Sequence, residues 1–254
     1  MATAMLAEFA TRLGCGLAVM LLTTPWRIVP PPFFRTHCQI ILALLVLAAL
    51  DLGRTGDSAP ETAVVAGAAV LAYFGSVAWG LGLPRLGVPI ATAIALVTGG
   101  GLVWGAGGST WEFQALNASG RLASASLMGS TLTAMLLGHH YLTAPAMSIT
   151  PLRTLVRWIS LMLLVRALLA GLGAWFLYAD ADATSLPSSV SPFFLAVRWG
   201  MGFGGTALAM YLTWKTVEIR STQSATGILY IMLALVLFGE LAAMTMSRSV
   251  GVLL

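Results

Sequence analysis

Apolar residues run along this chain in long blocks, and polar residues collect in the short gaps between them. A helix needs roughly 20 mostly apolar residues to cross a bilayer. Eight blocks approach or reach that scale. They predict transmembrane helices at about 7–25, 36–53, 61–82, 86–106, 119–143, 152–178, 191–215 and 223–247, the second being the shortest. The predicted fold is an all-α polytopic membrane helix bundle.

The gaps carry helix-stop chemistry. Pro30-Pro31-Pro32 separates the first two helices, and Pro145 and Pro151 bracket the connection between the fifth and sixth. A Ser/Pro loop, Ser185–Pro192, precedes the seventh. The weakly apolar stretch Gly105–Ser119 reads as a connection, with Trp111, Glu112 and Phe113 suited to the membrane interface. Gly99-Gly100-Gly101 and Gly200, Gly202, Gly204 and Gly205 suit close helix packing in lipid.

Composition agrees with the pattern. Of 254 residues, 58% are apolar and 9% charged. A soluble domain carries about 25% charged residues. That shortfall excludes ordinary soluble enzymes, and the net charge of +4 offers no nucleic-acid surface. The environment is a lipid bilayer. The N-terminal segment lacks a basic region ahead of its apolar run and reads as a retained first helix, not a cleaved signal. Cys15 and Cys38 form no CxxC motif, so neither a disulfide framework nor a zinc site is expected.

The basic residues set an orientation. With eight spans, Arg27, Arg35, Arg85, Arg153, Arg157, Lys215 and Arg220 fall on one side, and Arg12, Arg54, Arg121 and Arg248 on the other. The positive-inside rule makes the first side cytoplasmic and puts both termini outside. A bacterial inner membrane is the expected location. Of the acidic residues, Asp57 and Asp182 are among those falling on or near the outer side.

Short matches suggest a repeat. Met20-Leu21-Leu22 recurs as Met135-Leu136-Leu137, and Trp79 precedes Arg85 by the same interval as Trp214 precedes Arg220. Residues 1–110 and 118–254 are then two parallel four-helix halves of one membrane domain, an arrangement known in transporters.

Three charges do not fit a topological role. Arg166 lies mid-way along helix 6, Arg198 in helix 7 and Glu240 in helix 8. Ionisable groups at such depth need partners or a polar cavity. Arg198 and Glu240 share a depth on neighbouring helices and are expected to pair. Such a pair either fixes helix register or serves ion movement or anion binding.

The histidines form a second group. His37, His139 and His140 all fall toward the cytoplasmic side, with Tyr141 beside them. Imidazoles on facing helices suit one b-type haem or a transition metal, and a neutral imidazole suits a quinone. Met20 and Met147 add thioether sulfur near the same side, as copper handling would require. No helix carries the two spaced histidines of a two-haem anchor. Asn117-Ala118-Ser119 matches a glycosylation sequon on the predicted outer face. Serine-hydrolase, P-loop, zincin and dinucleotide motifs are absent.

Two functions follow as expectations. The first is a membrane subunit of a redox or respiratory complex that interacts with quinol, binds one b-type haem at these histidines, and works beside electron-transfer partner subunits. The second is a transporter of a small solute, ion or proton through Arg166, Arg198 and Glu240. A structural or assembly subunit is the remaining alternative.

Overall fold

A computed structural model describes residues 5–55, 59–108, 110–144, 147–180 and 191–250. Asp57, Pro145, Asp182 and residues 185–190 lie outside the described residues. The described residues form helices α1 (Met5–Thr23), α2 (Pro31–Thr55), α3 (Ala59–Gly80), α4 (Pro84–Trp104), α5 (Trp111–Thr143), α6 (Thr150–Asp180), α7 (Pro192–Ala196), a π-helical segment (Val197–Gly205), α8 (Thr206–Glu218) and α9 (Thr222–Val250). The π segment joins α7 to α8 into one span, Pro192–Glu218. The chain is a polytopic helical bundle, with no strand among the described residues.

Two boundaries differ from the sequence reading. α2 begins at Pro31, because proline is tolerated in a first helical turn, where its missing N–H has no partner to lose. It is therefore 25 residues long, and α1, with 19, is the shortest of the spanning helices. The stretch after α4 is not a connection as far as Ser119. α5 starts at Trp111, capped by the Thr110 hydroxyl, which accepts from the Phe113 N–H at 3.5 Å.

Seven helices are long and apolar enough to cross a membrane. The eighth, α5, is long but rich in Gly, Ser and Thr. It packs against α1, α6 and α9, and Ser124, Ser130, Thr131 and Thr133 on it are buried. Ser130 and Thr131 donate to the Leu127 carbonyl, so their hydroxyls are satisfied within the helix. A helix wrapped in protein does not need an apolar surface all round, and small residues bring its neighbours close.

The contacts close two rings. α1 touches α2 and α4, and α3 touches α2 and α4. α5 touches α6 and α9, and α8 touches α6 and α9. α1 packs on α5 and joins the rings. The turn after α3 uses Gly82 at φ 69°, the left-handed region that suits glycine. Large apolar side chains such as Leu81, Leu96 and Leu168 cover the outside, about two-thirds exposed or more. Such an apolar belt suits lipid, not water.

Candidate functional site: a buried arginine–glutamate network

Glu240 of α9 sits between two guanidinium groups. Arg166 of α6 donates through Nε to the carboxylate at 3.2 and 3.3 Å. Arg198 of the π segment donates through Nη1 to Oε1 at 2.8 Å. All three side chains are buried, at 1% exposure or less. The expected Arg198–Glu240 pair is therefore present, and Arg166 makes it a triad. The Phe203 ring lies 4.0 Å from the Arg198 guanidinium carbon and covers one face of it.

The π segment explains how Arg198 arrives there. Its wider winding changes the register of the span around Arg198, and such distortions recur at functional sites. Gly202 meets Gly239 backbone to backbone, bringing the segment onto α9 one residue from Glu240.

The network continues toward the end of the bundle where α1 begins. Ser124 of α5 is buried and accepts a hydrogen bond from Arg12 Nη1 at 3.4 Å. Arg12 in turn pairs with Glu8, one helical turn earlier on α1. Glu8 also receives Arg121 of α5 at 3.4 Å and Arg248 of α9 at 3.0 Å. Five guanidinium groups share two carboxylates. Arginine stays charged in proteins, so among the described residues these contacts hold more positive than negative charge. Its Glu8 end borders a cavity of about 560 Å³ that Glu61 and Arg121 also line.

Sequence reasoning found Arg166, Arg198 and Glu240 but assigned Arg12, Arg121 and Arg248 to orientation alone. The available signal was local. Glu8 and Arg12 stand four residues apart, and Arg121 and Ser124 three, spacings that share a helix face.

The histidines separate. His37 is fully buried, and its Nδ1–H donates to the Phe33 carbonyl at 2.8 Å. Its Nε2 is buried and has no hydrogen-bond partner among the described residues. The Phe33 ring packs 4.1 Å from His37 and 6.3 Å from His140, centre to centre. His140 Nε2 is likewise buried without a partner among the described residues. His139 is exposed and does not join them. Tyr141 donates to the Ser148 carbonyl at 2.5 Å and so pins the connection from α5 to α6. Among the described residues, no group of three or more His, Cys, Asp or Glu side chains gathers to hold a metal ion.

No family model, no curated protein and no solved structure matches the chain.

Proposed function

We propose that the protein moves a small solute or ion across the membrane and that the Arg166–Glu240–Arg198 triad lies on the path. The carrying observation is the fully buried triad, together with the polar contacts that lead inward from the cavity beside Glu8 through Arg12 to Ser124. A lone structural ion pair needs no such connection. Ionisable residues inside a membrane bundle mark ion and substrate paths. The π-helical break at Arg198 resembles the interrupted helices that build transporter sites. In this reading 1–110 and 118–254 are parallel halves in a bacterial inner membrane, with Arg35, Arg85 and Arg220 facing the cytoplasm and both termini outside. The test is flux into liposomes holding the purified protein, under imposed solute and proton gradients. Wild-type flux that disappears in a folded Glu240→Gln variant supports the reading. Absence of flux for every solute and ion tried removes it.

A second reading rests on His37. Its Nδ1–H is committed to Phe33, which fixes the tautomer and leaves the Nε2 lone pair without a partner among the described residues. That nitrogen suits the proton of a quinol hydroxyl or the iron of one b-type haem, with His140 nearby, in a membrane subunit served by electron-transfer partners. A reduced-minus-oxidised spectrum and quinone extraction of the purified protein test it. A haem band lost in His37→Ala supports this reading, and a preparation without haem or quinone removes it.

A further inference from the structure

We propose that the groove between α6 and α8 holds the phosphate of an anionic phospholipid, gripped by Arg153 and Arg157, with the acyl chains lying along α6. Such a site is independent of either functional reading above.

The groove opens at the end of the bundle where α6 begins and α8 ends. It has a volume of about 280 Å³ and is lined by Arg153, Val156, Arg157, Trp214, Val217 and Glu218. Val156 and Val217, both buried, form its apolar floor. Arg153 and Arg157 are exposed and stand one helical turn apart, about 6 Å at Cβ. Among the described residues, neither guanidinium forms an ion pair. Glu218, the one carboxylate lining the groove, has both oxygens engaged. Trp214 Nε1 donates to Oε1 at 2.7 Å, and Lys215 Nζ to Oε2 at 3.1 Å. Arg153 acts on Glu218 at longer, Coulombic range. Three cations therefore meet one carboxylate around the groove, and an oxyanion complements them. Guanidinium groups hold phosphate through paired, charge-assisted hydrogen bonds.

The surface beyond the arginines selects a lipid. Leu161, Leu164 and Leu168 follow Arg157 by four, seven and eleven residues and so share its face of α6. They are 48%, 58% and 64% exposed. On α8, Trp214 suits headgroup depth, and the exposed Tyr211 and Leu208 lie one and two turns deeper. A ligand with a charged head and an apolar tail meets both surfaces at once. A soluble phosphate meets only the arginines. Basic pockets between membrane helices bind lipid head groups by this combination.

Photo-crosslinking of the full-length protein in phosphatidylcholine bilayers tests the site, with a diazirine-bearing phosphatidylglycerol as the probe. Label is expected on residues 153–168 and 208–218. A diazirine-bearing phosphatidylcholine is expected to label them several-fold less. Unlabelled phosphatidylglycerol is expected to compete, and inorganic phosphate in the buffer is not. Each basic residue near a membrane surface adds about a fivefold preference for anionic lipid. Arg153→Gln combined with Arg157→Gln is therefore expected to weaken labelling at least tenfold. Arg85→Gln, at the same end but outside the groove, is expected to leave it unchanged. Glu218→Gln removes the carboxylate and is expected to strengthen labelling, a direction that a damaged fold would not produce. Equal labelling by the two lipids, an equal loss in Arg85→Gln, or no loss in the double variant overturns the proposal. So does competition by inorganic phosphate, which would mark a site for an aqueous anion. Should the double variant fail to fold, Glu218→Gln decides, and unchanged or weakened labelling there overturns the lipid site.

Discussion

Gly16 of α1 and Gly129 of α5 meet backbone on backbone. A Cβ on Gly16 would collide with the Ala125 carbonyl, and one on Gly129 with the Gly16 backbone. Helices in lipid gain no hydrophobic energy by associating, so close van der Waals approach has to hold them together. This crossing is where α1 joins the two helix rings, and the Arg12–Ser124 bond lies one turn away along α1. The packing seam and the polar network therefore depend on the same helix pair.

Gly129→Ala is expected to destabilise the fold by about 1–3 kcal/mol or more, the usual cost of forcing atoms into a filled interface. Gly67→Ala is the control, since its Cβ meets nothing within 4 Å. There the gain in helix propensity makes the change neutral or mildly stabilising, by up to about 1 kcal/mol. Thermal unfolding in detergent compares them. Equal midpoints would show that the α1–α5 contact is not close.

The number and order of helices were legible because lipid-facing segments must be apolar along their length. α5 was legible only over its apolar part. Gln114, Asn117 and Ser119 resemble an interface in one dimension, but their helix continues into a sleeve of protein. The π segment was not legible, since Gly200, Gly202, Gly204 and Gly205 accept either winding. Arg166, Arg198 and Glu240 stood out because each interrupts an apolar run. Glu8 and Arg12 did not, because charges near a helix end have an ordinary topological explanation. Only the fold brings them to Ser124.

Orientation is open to labelling. Ile219, at 76% exposure, and Trp111, also at 76%, lie at opposite ends of the bundle in the proposed topology. The native Cys15 and Cys38 are both buried and should give little background. In intact cells, a membrane-impermeant maleimide is expected to label Trp111→Cys and to spare Ile219→Cys until the membrane is opened. The reverse pattern would invert the map.

His37 yields a prediction about what fills its surroundings. If Nε2 lacks a partner in the working protein, His37→Phe loses one hydrogen bond to the Phe33 carbonyl and removes an unsatisfied buried acceptor. These effects are of similar size and opposite sign, about 1 kcal/mol each, so stability should barely change. Thermal unfolding of protein purified from membranes gives the answer. A loss well beyond 2 kcal/mol would mean that a bound group engages Nε2.

The triad predicts an order of costs. Removing Glu240 as Glu240→Gln leaves Arg166 and Arg198 charged, buried and facing each other, a loss of about 3–5 kcal/mol. Removing Arg198 as Arg198→Gln leaves Arg166 and Glu240 matched one to one, so its cost should be smaller. Lys215–Glu218 provides the contrast, with both side chains about half exposed. Glu218→Gln should barely change stability, because an exposed ion pair contributes little, and any loss should fade with added salt. The loss at Glu240 should persist in salt, because buried charges are poorly screened. Denaturant titrations of the three variants at low and high ionic strength measure the order. If Arg198→Gln proved costlier than Glu240→Gln, Arg198 would have to be anchored by more than the Glu240 carboxylate. The excess positive charge assigned to the triad would then be wrong.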